Sequence, residues 1–152
     1  MKKVFAIVLT FALLASLSVT AFAANTTGGD ADITTSIAPT YTVTIPADVN
    51  VAFNATETAF GTIEVTASQI HPDKCIKVAL ATDKELNNAI DNTKVIPYAI
   101  KDSEGADFTS ATYLTEGDKT ELSIHITADD WNAAYAGEYS DTVTFTVSYE
   151  DK

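Results

Sequence analysis

The chain has 152 residues with 21 acidic residues against nine lysines and no arginine, and its formal net charge at pH 7 is −12. A surface this acidic repels phosphate backbones and anionic lipids, so the composition excludes nucleic acid as a partner. Cys75 is the single cysteine, which excludes an internal disulfide, and the length suits one domain that is stabilised by its core.

The first 23 residues predict a signal peptide. Lys2 and Lys3 precede an apolar run at 4–17 that is short for a membrane span, and the sequence AFA at 21–23 leads into a polar segment. We therefore predict cleavage after residue 23 and a secreted, extracellular protein that has no membrane contact after cleavage. Because the two lysines leave with the signal, the net charge of −12 becomes −14 in the mature chain.

The mature chain is predicted to begin with a flexible leader at 24–32, which is polar and contains glycines, followed by one β-sandwich domain at 33–152. Ile33, Thr35 and Ile37 share one face at a period of two, which predicts a short strand. We expect this strand to pair in its own sheet as the first strand. The alternative is that it pairs with the exposed sheet edge of another molecule.

Alternation with a period of two continues along the chain and predicts further strands. The predicted apolar faces are Tyr41/Val43/Ile45, Val49/Val51/Phe53, Ile76/Val78/Leu80, Ile96/Tyr98/Ile100, Leu122/Ile124/Ile126 and Val143/Phe145/Val147/Tyr149. Residues 83–93 are predicted as a loop with one helical turn at most, and Pro97 indicates an edge position or a bulge. The fold class is all-β: a two-sheet antiparallel immunoglobulin-like β-sandwich of roughly seven to nine strands.

One short helical turn is predicted near residues 128–136. Thr127 can cap it, with an acidic residue three positions later, and Gly137 is expected to end it. Tyr139 fits the corner tyrosine of immunoglobulin-like sandwiches, whose hydroxyl bonds back to the upstream backbone. We therefore predict Gly137 and Tyr139 as a structural corner. Trp131 is interpreted first as a plug at this end of the core and second as a platform for a ligand.

No motif predicts catalysis. The sequence contains no nucleophile elbow, no Gly-rich phosphate loop and no zinc signature, and the spacing of His71 and His125 does not indicate a metal site. We therefore predict a protein that is not an enzyme and needs no cofactor.

Two groups of residues are candidates for binding. Tyr113, Trp131 and Tyr135 are candidate ligand-binding residues, because a flat aromatic ring covers the C–H face of a sugar well. A second group, Asp102, Glu104 and Asp107, surrounds a glycine turn and predicts a calcium site through its oxygen ligands. The spacing of these carboxylates does not match an EF-hand, and ordinary hairpin-turn chemistry is the alternative interpretation.

The two ends of the domain resemble known families. The closing segment AGEYSDTVTFTVSYE resembles the end of spore-coat-protein-U-type and other pilin-like secreted domains, and APTYTVTIPADVNV is similar to the opening strand of WxL-like surface proteins. The resemblance implies an extracellular structural or adhesive domain, including the building block of a fimbria, and transfers no catalytic residue. The lone Cys75 departs from the disulfide of many pilin-like domains. Because no sorting motif follows the final strand, we expect non-covalent association with the cell surface.

We therefore predict a secreted bacterial protein with a structural or adhesive role at the cell surface, self-assembly included, whose partners are itself or other surface proteins. The alternative prediction is a non-catalytic carbohydrate-binding module that acts beside other secreted proteins and whose partner is a glycan.

Overall fold

The computed structural model describes residues 8–12, 30 and 32–152. The predicted signal peptide and leader therefore lie outside the described residues, apart from the backbone of 8–12 and residues 30 and 32. The described elements are β1 (Val8–Ala12), β2 (Thr40–Thr44), β3 (Glu57–Gln69), β4 (Lys74–Ala81), β5 (Glu85–Asn88), β6 (Val95–Pro97), β7 (Ala99–Asp102), β8 (Ser110–Tyr113), β9 (Lys119–His125), α1 (Ala128–Ala133), β10 (Tyr139–Ser140) and β11 (Thr144–Asp151).

The strands form three antiparallel sheets. One is five-stranded with the order β1-β2-β3-β9-β7, and two are three-stranded with the orders β10-β5-β6 and β11-β4-β8. The predicted all-β class is confirmed. The described residues form eleven strands in three sheets, so a two-sheet sandwich of seven to nine strands is not confirmed.

The two three-stranded sheets are separate because two paired segments of extended chain are each interrupted where they lie beside each other. β4 pairs with β11 and β5 pairs with β10, so the interruptions at 82–84 and 141–143 lie opposite each other. Lys84 adopts a left-handed φ of 62°, and its N–H donates to the Thr82 hydroxyl over 2.9 Å. This local polar bond breaks the ladder, and β5 forms where the sequence pattern predicts a loop.

The segment around Pro97 passes from one sheet to another. Ile96, Tyr98 and Ile100 are all buried, as their alternation predicts. However, β6 ends at Pro97 and β7 begins at Ala99 in a different sheet. Proline has no N–H to donate to a ladder, so it lies in the edge strand at the crossing point.

Two predicted strands do not form. Residues 32–39 belong to no strand, and Ile33 is 99% exposed, so Ile33–Ile37 is not paired in its own sheet. Residues 45–56 also lie outside the strands, although Val49, Val51 and Phe53 alternate. Here a turn replaces the extended backbone, because Asn54 adopts a left-handed φ of 65°.

One hydrophobic core joins all three sheets. Its buried members are Val43, Ile63, Val65, Ile76, Val78, Ile96, Tyr98, Ile100, Phe108, Tyr113, Leu122, Ile124 and Ile126. Cys75 is also buried, in β4, and its thiol points at the Asp151 carbonyl oxygen over 3.7 Å. Every described core residue lies in β2 or later in the chain. None of the residues at 30 and 32–39 belongs to the core.

The helix α1 is shorter than predicted. Thr127 caps it by accepting the Asp130 N–H over 3.1 Å, as expected, but the helix ends at Ala133. The N–H of Ala134 closes the last turn on the Trp131 carbonyl oxygen, so Gly137 lies beyond the helix and does not end it. Within the described part of the chain, no helix has the length and apolarity to cross a membrane.

Candidate aromatic binding site

A turn at residues 52–55 presents a phenylalanine to solvent. The Ala55 N–H donates to the Ala52 carbonyl oxygen over 3.0 Å, and Asn54 supplies the left-handed position, which asparagine tolerates better than most residues. Phe53 therefore lies at the tip of the turn, with 77% of its surface exposed.

The Trp131 side chain connects this turn to the core. Its indole packs against the core, and its Nε1–H donates to the Ala55 carbonyl oxygen over 2.9 Å. The Phe53 ring meets the indole edge to face, with centroids 5.6 Å apart and planes at 80°. This geometry is favourable for aromatic pairs. Because the indole N–H is already bonded, a ligand would contact ring surface here.

Tyr135 is the second exposed aromatic residue of this region. It is 63% exposed, and the Lys94 ammonium lies 5.0 Å from its ring centroid, a cation–π contact. Its backbone is fixed by Tyr139, whose hydroxyl donates to the Tyr135 carbonyl oxygen over 3.0 Å and accepts the Tyr135 N–H over 3.1 Å. These are the backbone bonds that a corner tyrosine makes.

Gly137 lies where the corner touches a buried amide. Its φ is +150°, and an added Cβ would lie 2.6 Å from Asn88 Nδ2. Asn88 is 6% exposed, and its Oδ1 accepts the N–H groups of Ile90 and Asp91 over 2.9 and 3.2 Å. Gly137 therefore contacts Asn88, which hydrogen-bonds the start of the loop that leads to Lys94.

We call Phe53, Trp131, Tyr135 and Lys94 the aromatic surface. It consists of two contacting pairs, Phe53 with Trp131 and Lys94 with Tyr135, which are linked by the four-residue spacing of Trp131 and Tyr135 in the chain. Trp131 and Tyr135 are candidates from the sequence, whereas Phe53 is not, because its alternation with Val49 and Val51 assigns it to a strand. The signal that identifies it is the adjacent Asn54, a residue type that favours turns.

Tyr113 does not belong to this surface. It is 2% exposed within the core, and its hydroxyl donates to Thr120 Oγ1 over 2.8 Å. Burial raises the pKa of Tyr113. The sequence places it correctly on a strand but does not say which face of that strand is covered, so its ring cannot stack on a ligand as predicted.

The three predicted calcium ligands do not form a metal-binding group. Asp102 Oδ1 accepts the N–H groups of Glu104 and Ala106, each over 3.0 Å, and Asp107 Oδ2 lies 3.3 Å from Lys84 Nζ. No group of three or more His, Cys, Asp or Glu side chains in the described residues could hold a metal ion. The hydrogen bonds of Asp102 are those of an ordinary turn, which is the alternative interpretation to calcium binding.

A polar cluster bridges the interruption between the two three-stranded sheets. Both the Tyr98 and the Thr82 hydroxyls donate to Asp141 Oδ2, the latter over 2.8 Å, and the two hydroxyls lie 2.7 Å apart. Burial, followed by the bond to Asp141, raises the pKa of Tyr98. The cluster joins residues from three separate segments and has a structural role.

A serine and a histidine meet on β9. Ser123 Oγ lies 2.9 Å from His125 Nε2, and Glu57 Oε1 lies 3.9 Å from the same nitrogen. In a catalytic triad the acid binds the opposite ring nitrogen from the one that faces the nucleophile. This contact therefore lacks the geometry of a triad.

Comparisons of the chain with protein-family models, with characterised proteins and with solved structures found no match. The aromatic surface is the arrangement of described residues that combines exposed apolar rings with a rigid support.

Proposed function

We propose that the protein is a secreted bacterial domain with a structural and adhesive role at the cell surface, and that the aromatic surface binds its partner. The observation that carries this proposal is the exposure of Phe53 on a turn that the Trp131 indole anchors. Burying a phenylalanine side chain contributes about 1.5–3 kcal/mol, which this position forgoes in the free protein. A partner that covers the ring recovers that free energy.

The anchored turn also lowers the cost of binding. A side chain that is free in solution loses about 0.5–1.5 kcal/mol of rotamer entropy when a partner fixes it. The Phe53 ring already rests edge to face on the indole, and the Trp131 N–H already fixes the turn. Less freedom is therefore left to lose, which favours binding.

We also propose that the three sheets form the two layers of an immunoglobulin-like sandwich. The support is that the same two segments pair antiparallel on both sides of the interruption, β4 with β11 and β5 with β10, with the register shifted by two residues between them. The Tyr98–Asp141 cluster would then join two sections of one layer. The second layer would be the five-stranded sheet.

The adhesive role is tested with cell-wall fragments of a Gram-positive bacterium as the probe. We expect Phe53→Ala to weaken pull-down of the mature protein about tenfold, because a buried aromatic anchor contributes that much or more. Ile90→Ala is the matched control, since Ile90 is 90% exposed and lies outside the aromatic surface. Equal retention of the wild type and Phe53→Ala would refute this role for Phe53.

The second candidate function is a carbohydrate-binding module, favoured by the exposed Tyr135 ring beside Lys94. Protease treatment of the same fragments separates the two functions. A module that binds a glycan retains its affinity for protease-treated fragments and loses it in Tyr135→Ala. An adhesive domain that binds surface protein loses its affinity on protease treatment.

A further inference from the structure

The outer edge of β2 is covered by β1. The two strands pair antiparallel, with Leu9 opposite Val43 and Phe11 opposite Tyr41, while the other edge of β2 pairs with β3. β1 belongs to the predicted signal peptide. Cleavage after residue 23 would remove it and would leave the backbone N–H and C=O groups of that edge without partners.

This edge lacks the features that normally prevent strand addition. Proteins protect edge strands with charges or proline. β6 contains Pro97, and β7 contains Lys101 and Asp102. β2, at Thr40–Thr44, contains neither a charge nor a proline. Export would therefore expose a strand edge that can accept another strand.

The segment just before β2 is suited to fill such an edge. Ile33 is 99% exposed and Ile37 is 62% exposed, and residues 32–39 belong to no strand. Ile33, Thr35 and Ile37 share one face at a period of two, and four of the five residues at 33–37 are β-branched, which favours a strand. Ile33 is almost fully exposed, whereas Ile37 lines a surface pocket together with Ile70 and Pro72.

The segment cannot reach the edge of its own β2. Only Ala38 and Pro39 separate Ile37 from Thr40, and a two-residue hairpin requires a positive φ at one or both loop positions. Both favoured hairpin turns need a positive φ at the first loop position, Ala38, but the proline that follows restricts Ala38 to extended backbone with a negative φ. A tight hairpin with its own β2 is therefore excluded, and a second copy of the chain offers the same uncovered β2 edge.

We propose that the mature protein forms a closed two-fold dimer, in which Ile33–Ile37 of each copy adds to the β2 edge of the other. Residues 33–44 of the two copies run antiparallel about an axis near Ala38. In the register with Ile33 opposite Val43, both isoleucines lie on the core side of the sheet, because Val43 is buried. A one-residue slip would turn them towards solvent.

The symmetry limits the assembly to two copies. Each copy supplies one leader strand and accepts one, so both new edges are filled and no site is left for a third copy. The inference rests on the secretion assumed in the proposed function, but it does not involve the aromatic surface. Phe53→Ala is therefore expected to leave the dimer unchanged.

The first test measures the mass of the mature protein, residues 24–152, by light scattering at high micromolar concentration. Every described core residue lies beyond the leader, so this chain retains the core. We expect a dimer that I33D/I37D converts to a monomer with an unchanged far-UV circular dichroism spectrum. The Tm of this variant should fall, because the monomer lacks the stabilisation that association adds. The control I90D should remain dimeric. A monomeric wild type, a series of larger oligomers, or a dimer that survives I33D/I37D overturns the proposal.

The second test fixes the register with disulfides in a C75A background. T34C and T42C would lie directly opposite each other across the two copies, within the Cα separation that a disulfide needs. T34C/T44C is offset by two residues and lies beyond that separation. We expect T34C/T42C to give a covalent dimer under mild oxidation and T34C/T44C to give none. Equal cross-linking of the two pairs, or cross-linking of neither, contradicts the proposed pairing.

Discussion

Single residues fix the interruption between the two three-stranded sheets. Asp141 accepts hydrogen bonds from Tyr98 and Thr82, and its Oδ1 accepts the Thr142 N–H over 2.6 Å. A carboxylate with these partners replaces the ladder bonds that the interrupted strands do not make. The cluster and the aromatic corner are therefore where single substitutions are most informative.

We expect Tyr98→Phe to lower the free energy of unfolding by about 1–3 kcal/mol, because it removes a buried donor and leaves its partners less satisfied. Urea unfolding measures the change. Tyr135→Phe is the matched control, since its ring is exposed, and its effect should stay within about 0.5 kcal/mol. Equal stabilities for the two variants would contradict the structural role of the cluster.

At the corner, we expect Gly137→Ala to destabilise the protein by more than Gly105→Ala. Both glycines have positive φ, so both substitutions strain the backbone by about 1–3 kcal/mol. The added Cβ at Gly137 also meets Asn88 Nδ2 at 2.6 Å, whereas at Gly105 nothing lies within 4 Å. The difference in Tm between the two variants isolates this contact. A lower Tm for Gly105→Ala than for Gly137→Ala would contradict a close contact between Gly137 and Asn88.

Among the elements, the period-two pattern predicts those strands that have one uninterrupted buried face. β4, β9 and β11 form where the alternation indicates, because their inward residues have no competing turn. The pattern misassigns 49–53, where the left-handed Asn54 turns the chain, and 33–37, where no partner strand is available in the same molecule. It also cannot detect an interruption caused by a side-chain bond, such as that of Thr82 to Lys84.

The sequence also predicts only part of the candidate site. The capping residues predict the helix that carries Trp131, and the sequence gives Trp131 and Tyr135 as candidates, with the core plug as the first interpretation of Trp131. Phe53 joins them only through a contact across 78 residues of chain, which local patterns do not reveal. For Tyr113, the strand is predictable from the sequence. Whether its ring is buried is not predictable, because that depends on which face of the strand the other sheets cover.

The short helix is expected to depend on its cap. Thr127→Ala removes the oxygen that accepts the Asp130 N–H, which should cost about 1 kcal/mol. Because α1 carries Trp131, the indole should become more exposed, which a red shift of its fluorescence would report. Thr127→Ser keeps the hydroxyl and is the control. Identical spectra and stabilities for Thr127→Ala and Thr127→Ser would show that the cap does not position the indole.

For the whole molecule, alkaline pH should reduce stability. The pKa of Tyr98 is raised in the folded state by burial and by the bond to Asp141, and burial also raises the pKa of Tyr41 and Tyr113. The stabilising contribution of a raised pKa is complete below the ordinary value of 10.0 and is lost as the pH rises above it. We expect the free energy of unfolding to fall above that pH, and to fall less steeply in Tyr98→Phe. Parallel pH profiles for the two proteins would contradict this assignment.

The net charge of each copy should weaken the proposed dimer. Two mature chains of −14 repel each other, and salt screens that repulsion, with a screening length of about 8 Å at physiological ionic strength. The dimer should therefore become tighter as NaCl is added, which analytical ultracentrifugation can measure. Dissociation of the dimer by salt would indicate an interface held by ion pairs instead of by strand addition.

The central claim is that the aromatic surface contacts the partner. The most direct measurement is an NMR titration of the ¹⁵N-labelled mature protein with solubilised cell-wall fragments. We predict that the amide shifts that change most belong to residues 52–55, 92–94 and 128–137, which form and support this surface. Changes confined to β4, β8 and β11, or no changes at all, would contradict the proposed function.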